Sequence, residues 1–512
     1  MNTAAIFSDN MVLQRHRNVR IFGQCEAGED IRADIPELGI SVRAVVTGEN
    51  WIAVLPPMEA CAECTVEISS ASDKITFKNV AVGEVWLAGG QSNMEFELQN
   101  DKNGTQTLAE CSGENVRFYY TPKCEMTDEK LLKTEAESCW ALPSAENSRC
   151  WSAVGYYFAR ELSCSLGVTV GVIGCNWGGT SASAWIDRHY LEQDSRLRPY
   201  IDEYDEACAG KTVSEMIAEY DEYVAYHTAW EKRMQRCYQE RPDIEWSEVL
   251  EICGENRYPG PIGCKNPMRP CGLYETMISR VRPYTIAGAL YYQGESDDHR
   301  PDTYYSLLTA LIDCWRSEWL DDELPFLLVQ LPMFKFSADP DYKHWCKIRQ
   351  AQLKAYKTIK NTGIAVALDC GEFNNIHPID KEPVGHRLYL QAMCEVYGLM
   401  SRKEALPPIF REFTDCTGGR LVLRFDNCEG FDLRGELTGF EAAGTDGEFV
   451  SVCAHIEEDI IVLEGAPSPT ISVRYKWTNY AGVELYGKNG IPVPPFSSVN
   501  SAPSQRTHLS EL

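Results

Sequence analysis

The sequence predicts an α/β protein: a parallel β-sheet with helices on both faces, and a β region at each end of the chain. Three observations carry this expectation. Between about 81 and 401, compact apolar runs of strand length alternate with amphipathic segments of helix length, which is how buried parallel strands and their crossover helices read. Before about 80 and after about 402, short runs alternate apolar and polar residues between Gly, Pro and Asn, as half-buried strands do. Four of the central apolar runs end in loops rich in glycine or in polar side chains, where α/β proteins place their ligands.

Region 1–80 holds alternating runs at 19–23, 40–45 and 64–68. Its Cys61 and Cys64 have Cys-x-x-Cys spacing but lack a second pair or a histidine pair nearby. Small buried hydrophobes are therefore expected rather than a zinc or redox site. Region 81–401 holds apolar runs at 85–88, 168–173, 286–292, 326–329 and 364–368, with helices expected over 151–166, 303–319, 345–359 and 385–397. A largely helical insertion at about 190–258 interrupts this rhythm. There Thr212 and Glu215 have capping-box spacing, and Met216, Tyr220, Tyr223, His227, Trp230 and Met234 follow at steps of four and three. That stripe reads as packing against the body of the protein, with a substrate-facing wall as the alternative, and His227 within it as a core or boundary histidine rather than a ligand. After 402, strand-like runs at 420–425, 448–452, 460–463 and 471–475 form the C-terminal β region, 402–512.

Charge and composition narrow the function. Lys plus Arg number 48 against 75 Asp plus Glu, a formal charge of −27. Phosphates would be repelled, so neither nucleic acid nor an anionic membrane surface is expected as a partner. No run of about 18 apolar residues occurs. The opening residues lack a basic segment followed by an apolar one, and the 21 cysteines do not cluster as a disulfide framework. The cytoplasm is the expected compartment.

Four strand-end loops carry the chemistry. The first follows Val85-Trp86-Leu87-Ala88 and reads Gly89-Gly90-Gln91-Ser92-Asn93-Met94. A sharp strand-to-helix turn exposes a serine hydroxyl and sets its N–H beside a developing oxyanion; a capping serine in a glycine turn is the plainer reading. The second is Trp177-Gly178-Gly179-Thr180, where glycine lets a backbone N–H approach a substrate oxygen. The third is Gln293-Gly294-Glu295-Ser296, with a carboxamide as a candidate oxyanion donor and Glu295 as a candidate site wall or structural partner. The fourth runs from Asp369 through Glu372, Asn375 and His377 to Lys381. A histidine in such a loop is where a general base sits.

With these motifs in this order, the sequence resembles the sialate O-acetylesterase family of SGNH-type hydrolases, which also includes bacterial acetylxylan esterases. The resemblance also rests on Ile6-Phe7-Ser8-Asp9-Asn10-Met11, Ile376-His377-Pro378, and Val473-Arg474-Tyr475-Lys476-Trp477. It implies an SGNH-type sheet over 81–401, Ser92 as nucleophile, and His377 as its base ahead of His299 and His386. It further implies an oxyanion hole from the N–H groups of Ser92 and of Gly178 or Gly179, with the Gln293 carboxamide, and Trp177 at the site wall. No metal or organic cofactor is implied, the partner is an O-acetylated sugar or glycan, and a homo-oligomer stays open. Many relatives carry Asp where this chain has Asn375, and Asn where it has Asp297. The group that orients His377 is then Asn375, Asp369, Glu372 or a backbone carbonyl. Trp86, Met94, Phe96 and Trp177 are candidates to close an acetyl-sized pocket. The substrate is a sialic acid or a neutral glycan such as xylan; an inactive sugar-binding relative is the remaining reading.

Overall fold

One strand joins the two sheets that matter most. Strand β1 (Lys74–Gly90) starts half exposed and becomes fully buried from Val80 onward. Its first half pairs antiparallel with Cys61–Ser69 in the N-terminal β region, and its second half lies between parallel neighbours. The residue pattern explains the change: alternation suits a sheet with one wet face, and the run Val85–Ala88 suits one covered on both. The boundary expected at 80 therefore falls inside a continuous strand. The computed structural model describes residues 1–241, 244–337, 339–416 and 418–499.

The central sheet adds β2 (Val116–Tyr120), β3 (Val170–Asn176), β4 (Gly288–Tyr292), β5 (Phe326–Gln330) and β6 (Thr362–Val366). Its order is β2-β3-β1-β4-β5-β6, all parallel. The chain builds one side of β1 first and then crosses to the other. That reversal sets the loops after β1, β3 and β4 side by side at the carboxyl edge, where such sheets hold ligands. Strand β2 was not among the expected runs, because Arg117 breaks its apolar pattern. The Arg117 guanidinium is nonetheless buried, donating to the Asn10 carbonyl at 3.0 Å.

The helices that position the site are α1 (Ser92–Glu95), α2 (Ala153–Leu166), α3 (Val213–Glu240), α4 (Tyr304–Glu318), α5 (His344–Thr358) and α6 (Glu382–Gln391). Trp86 of β1 meets Phe158 of α2, with ring centroids 5.1 Å apart. Gly89, three residues on and so on the opposite face, lies under Trp315 of α4. Helix α6 packs beside α2, and α5 beside α4, so both faces of the sheet are covered.

In the insertion, α3 opens on the expected reciprocal cap between Thr212 and Glu215. Its aromatic stripe packs mostly within the insertion itself. Tyr223 stacks on His227 and His227 on Trp230, at 5.2 and 5.9 Å, while Trp230 buries against Ile244, Val249 and Cys253. Cys64 is buried in its strand and its thiol pKa is pushed up to about 12, which makes it unreactive. The C-terminal strands enclose their own aromatic core, with Phe410 stacked on Phe496 at 4.0 Å. Buried Arg349 of α5 ties that region to the central domain, donating to the carbonyls of Pro332 at 3.1 Å and Asn479 at 3.5 Å.

Candidate active site

Gly90 makes the turn after β1. Its φ is +135°, and a side chain there would strike the Tyr292 carbonyl, 2.1 Å from the Cβ position. Only glycine fits. Gln91 then caps α1, its N–H donating back to Tyr292 O at 3.1 Å, and Ser92 opens the helix at the edge of the sheet. The loop after β6 reaches the same point: His377 Nε2 lies 2.8 Å from Ser92 Oγ. Residues 285 positions apart in sequence thus form a nucleophile–base pair.

None of the three expected orienting side chains touches the imidazole. Asn375 Oδ1 accepts from the His377 backbone N–H at 3.1 Å, and its Nδ2 donates to Glu372 Oε2 at 2.8 Å. Glu372 Oε1 accepts from the Ile379 N–H at 2.9 Å, so this carboxylate braces the loop instead of the ring. Asp369 is bound by Arg387 through two bonds of 2.5 and 2.9 Å. Among the described residues, His377 makes neither an ion pair nor a hydrogen bond with a carboxylate. The ring has an exposed edge, yet desolvation by its surroundings, and then the Lys381 ammonium, hold its pKa below the usual histidine value, with Glu95 opposing. The competing histidines sit elsewhere: His299 contacts Ser296 O, and His386 contacts Glu161.

The oxyanion side differs from expectation in two places. Gly178 is close enough, since a Cβ on it would lie 3.2 Å from Ser92 Cβ. Its N–H, however, donates to Glu95 Oε2 at 2.6 Å, and Glu95 is in turn paired with Lys123. A carboxylate one helical turn beyond Ser92 occupies the donor that a substrate oxygen would use. Gln293 is turned away: its Nε2 donates both hydrogens, to Thr180 O at 3.2 Å and Asp297 Oδ2 at 2.6 Å. No donor is left for an oxyanion. Asp297 also accepts from Ser181 Oγ at 2.6 Å, Ala182 N at 2.9 Å and Tyr200 Oη at 3.2 Å. An acceptor-only side chain suits four donors, which accounts for Asp at this position.

Glu295 is buried and accepts from Asn93 Nδ2 at 2.5 Å, so it is a structural partner and not a wall. Trp86 and Met94 are fully buried in the core, Trp86 against α2, and do not line an acyl pocket. Trp177 and Phe96 keep partial exposure. Lys123 Nζ lies 5.9 Å over the Trp177 ring, and Tyr258, at the end of the insertion, places its hydroxyl 3.5 Å from Gly179 O. The insertion therefore reaches the glycine pair. Glu95 and Lys123 were missed as site residues, since their contacts join separate loops and no local pattern marks them; Lys381 lay within the His377 loop but was given no role there. Among the described residues, no group of three or more His, Cys, Asp or Glu side chains is placed to hold a metal ion, and no helix is long and apolar enough to cross a membrane.

A parallel sheet of this order, with a serine–histidine pair at its carboxyl edge, is the frame of an SGNH-type hydrolase. Residues 265–387 match the family model for carbohydrate esterases described as sialic acid-specific acetylesterase. The chain is 26% identical to the sialate O-acetylesterase of Mus musculus over 484 residues, covering 87% of this chain and 84% of that protein. It is 25% identical to the Homo sapiens sialate O-acetylesterase over 427 residues, 77% of this chain and 71% of that one. Its structure is similar to that of a carbohydrate acetylesterase from Xanthomonas citri, with a TM-score of 0.76, 26% identity, and coverage of 98% of this chain and 99% of the other. Over most of its length the chain is thus similar to sialate O-acetylesterases and to a carbohydrate acetylesterase of known structure. The matched segment contains Gln293, Glu295, His377 and Lys381; the fold brings Ser92 to it from outside.

Proposed function

We propose that this protein is a carbohydrate O-acetylesterase that removes O-acetyl groups from sialic acid through a Ser92 acetyl-enzyme, with His377 as general base. The observation that carries the reading is the 2.8 Å contact between Ser92 Oγ and His377 Nε2 at the carboxyl edge of the sheet. Ser92 Oγ attacks the acetyl carbonyl as His377 takes its proton. The tetrahedral oxyanion is held by the N–H groups of Ser92 and Gly178, and the same proton passes to the departing sugar oxygen. Water, deprotonated by His377, then releases acetate and restores the serine. The Gly178 N–H becomes free when Glu95 withdraws toward Lys123 and solvent; both side chains are about one-third exposed, at 33% and 31%. The two β regions supply neither member of the pair and act as accessory domains that stabilise the core and shape access. The cytoplasm is the proposed compartment, in keeping with 21 cysteines that are all unpaired.

The direct test compares acetate release from 9-O-acetyl sialic acid and from acetylated xylan. A higher kcat/KM on the sialic acid is expected. Preference for xylan would overturn the substrate and keep the esterase; release from neither would leave a sugar-binding protein on an esterase scaffold.

Glu95→Ala is expected to raise kcat/KM on a small acetate ester at pH 8 a few-fold, about what displacing an exposed ion pair worth 1 kcal/mol returns. A tenfold loss would instead show that the carboxylate takes part in the chemistry.

A further inference from the structure

Besides the Ser92–His377 contact, a buried side chain of the nucleophile turn fastens the loop that carries His377. Asn93, next to Ser92, is fully buried and uses both ends of its carboxamide. Nδ2 donates to the Ile376 carbonyl at 3.0 Å and to Glu295 Oε1 at 2.5 Å, and Oδ1 accepts from Lys381 Nζ at 2.5 Å. Ile376 precedes the histidine and Lys381 follows it by four residues. The base is therefore pinned on both sides to the residue beside the nucleophile.

We propose that Asn93 and Lys381 are positioning residues for the Ser92–His377 pair, supplying through the loop backbone the orientation that a carboxylate on Nδ1 gives through the ring. This rests on Ser92 and His377 being the catalytic pair.

Lys381 is built in from every side. Its backbone N–H donates to Asp101 Oδ2 at 2.9 Å, and its ammonium lies 4.7 Å over the Phe96 ring and 5.7 Å over that of Tyr292. A buried cation is costly unless paired, and none of the steps above transfers a proton to or from it. Its counterpart is Glu295, whose Oε2 is buried without a partner. Burial pushes the Glu295 carboxyl pKa up and the Lys381 ammonium pKa down to about 8. Asn93 stands between the two charges and separates them. Retaining such an arrangement fits a role in geometry and in the local field.

That field reaches the base. The charged groups acting on His377 are Glu95 from α1, which favours the imidazolium, and Lys381 from its own loop, which opposes it. Asp369 is neutralised by Arg387, and Glu372 is turned to the loop amides. Removing the ammonium should therefore make His377 easier to protonate.

The experiment is kcat and KM against pH for the full chain on vinyl acetate, which makes no sugar contacts. Lys381→Met would leave Glu295 alone in the core, so the Lys381→Met/Glu295→Gln double variant, with both charges gone, is the main probe. Its acid limb is expected to move to higher pH by up to about one unit, the range of a nearby like charge. Asn93→Ala is expected to lower kcat by about a hundredfold with KM little changed, the scale of an ångström's misplacement. An unmoved acid limb in the folded double variant, or kcat within about threefold of wild type in Asn93→Ala, would overturn the proposal. A wild-type chain that releases no acetate at all would instead sink the catalytic pair itself.

Discussion

Ser92→Ala is expected to abolish acetate release while leaving the circular dichroism spectrum and melting temperature nearly unchanged. The Ser92 side chain is only partly buried and, among the described residues, its one side-chain hydrogen bond is to His377, so its removal opens no cavity in the core. Its chemistry has no stand-in. The neighbouring hydroxyl groups, Thr180 Oγ1 and Ser181 Oγ, are bound to Trp177 O and Asp297. Loss of a covalent nucleophile costs about a millionfold in kcat in comparable serine hydrolases. Rapid quenching of the wild-type reaction should capture an acetyl group on the peptide containing Ser92. More than about a tenth of the rate surviving in the alanine variant would be incompatible with the assignment, given that scale.

His377→Ala should be as damaging, and the wild-type pH profile should show why. The base works only when neutral. Desolvation and Lys381 lower its pKa, so the neutral form persists to a lower pH than for a free imidazole, whose pKa is about 6.5. Activity is expected to be level from near neutrality upward and to fall only below about pH 6.5. An acid limb centred above pH 7, or a His377→Ala variant within about tenfold of wild type, would point to another base. Added imidazole should partly restore the alanine variant, since Ser92 and its N–H stay in place.

Much of this arrangement is legible in the sequence because it depends on local pattern. The run Val85–Ala88 followed by two glycines and a serine specifies a buried strand and a sharp turn, whatever lies around it. The step-of-three-and-four spacing of Met216, Tyr220 and Tyr223 likewise specifies one face of α3. What failed were directions. Gln293 sits at the expected strand end, but its amide points to Thr180 and Asp297, and no spacing records which way a carboxamide turns. Trp86 flanks the nucleophile in sequence, yet strand alternation carries it to the α2 face. Asp369 and Glu372 are near His377 in the chain and bound to other partners in space. Strand β2 was hidden because one buried arginine, satisfied by carbonyls from the first eighty residues, looks like a surface residue when read alone.

Strand β1 has a consequence for how this protein was assembled and how it tolerates rearrangement. Its first half is laced into the N-terminal sheet and its second half ends at Gly90, two residues before Ser92. There is no linker at which the N-terminal region could be cut away, exchanged or moved to the other end of the chain without severing the rod that sets the height of the nucleophile. The N-terminal β region is thus part of the catalytic frame itself, whereas the C-terminal region, which among the described residues feeds no strand into the central sheet, is joined to it through side chains, in an apolar cluster where Ile409 and Ile491 pack with Ile364 and Leu353.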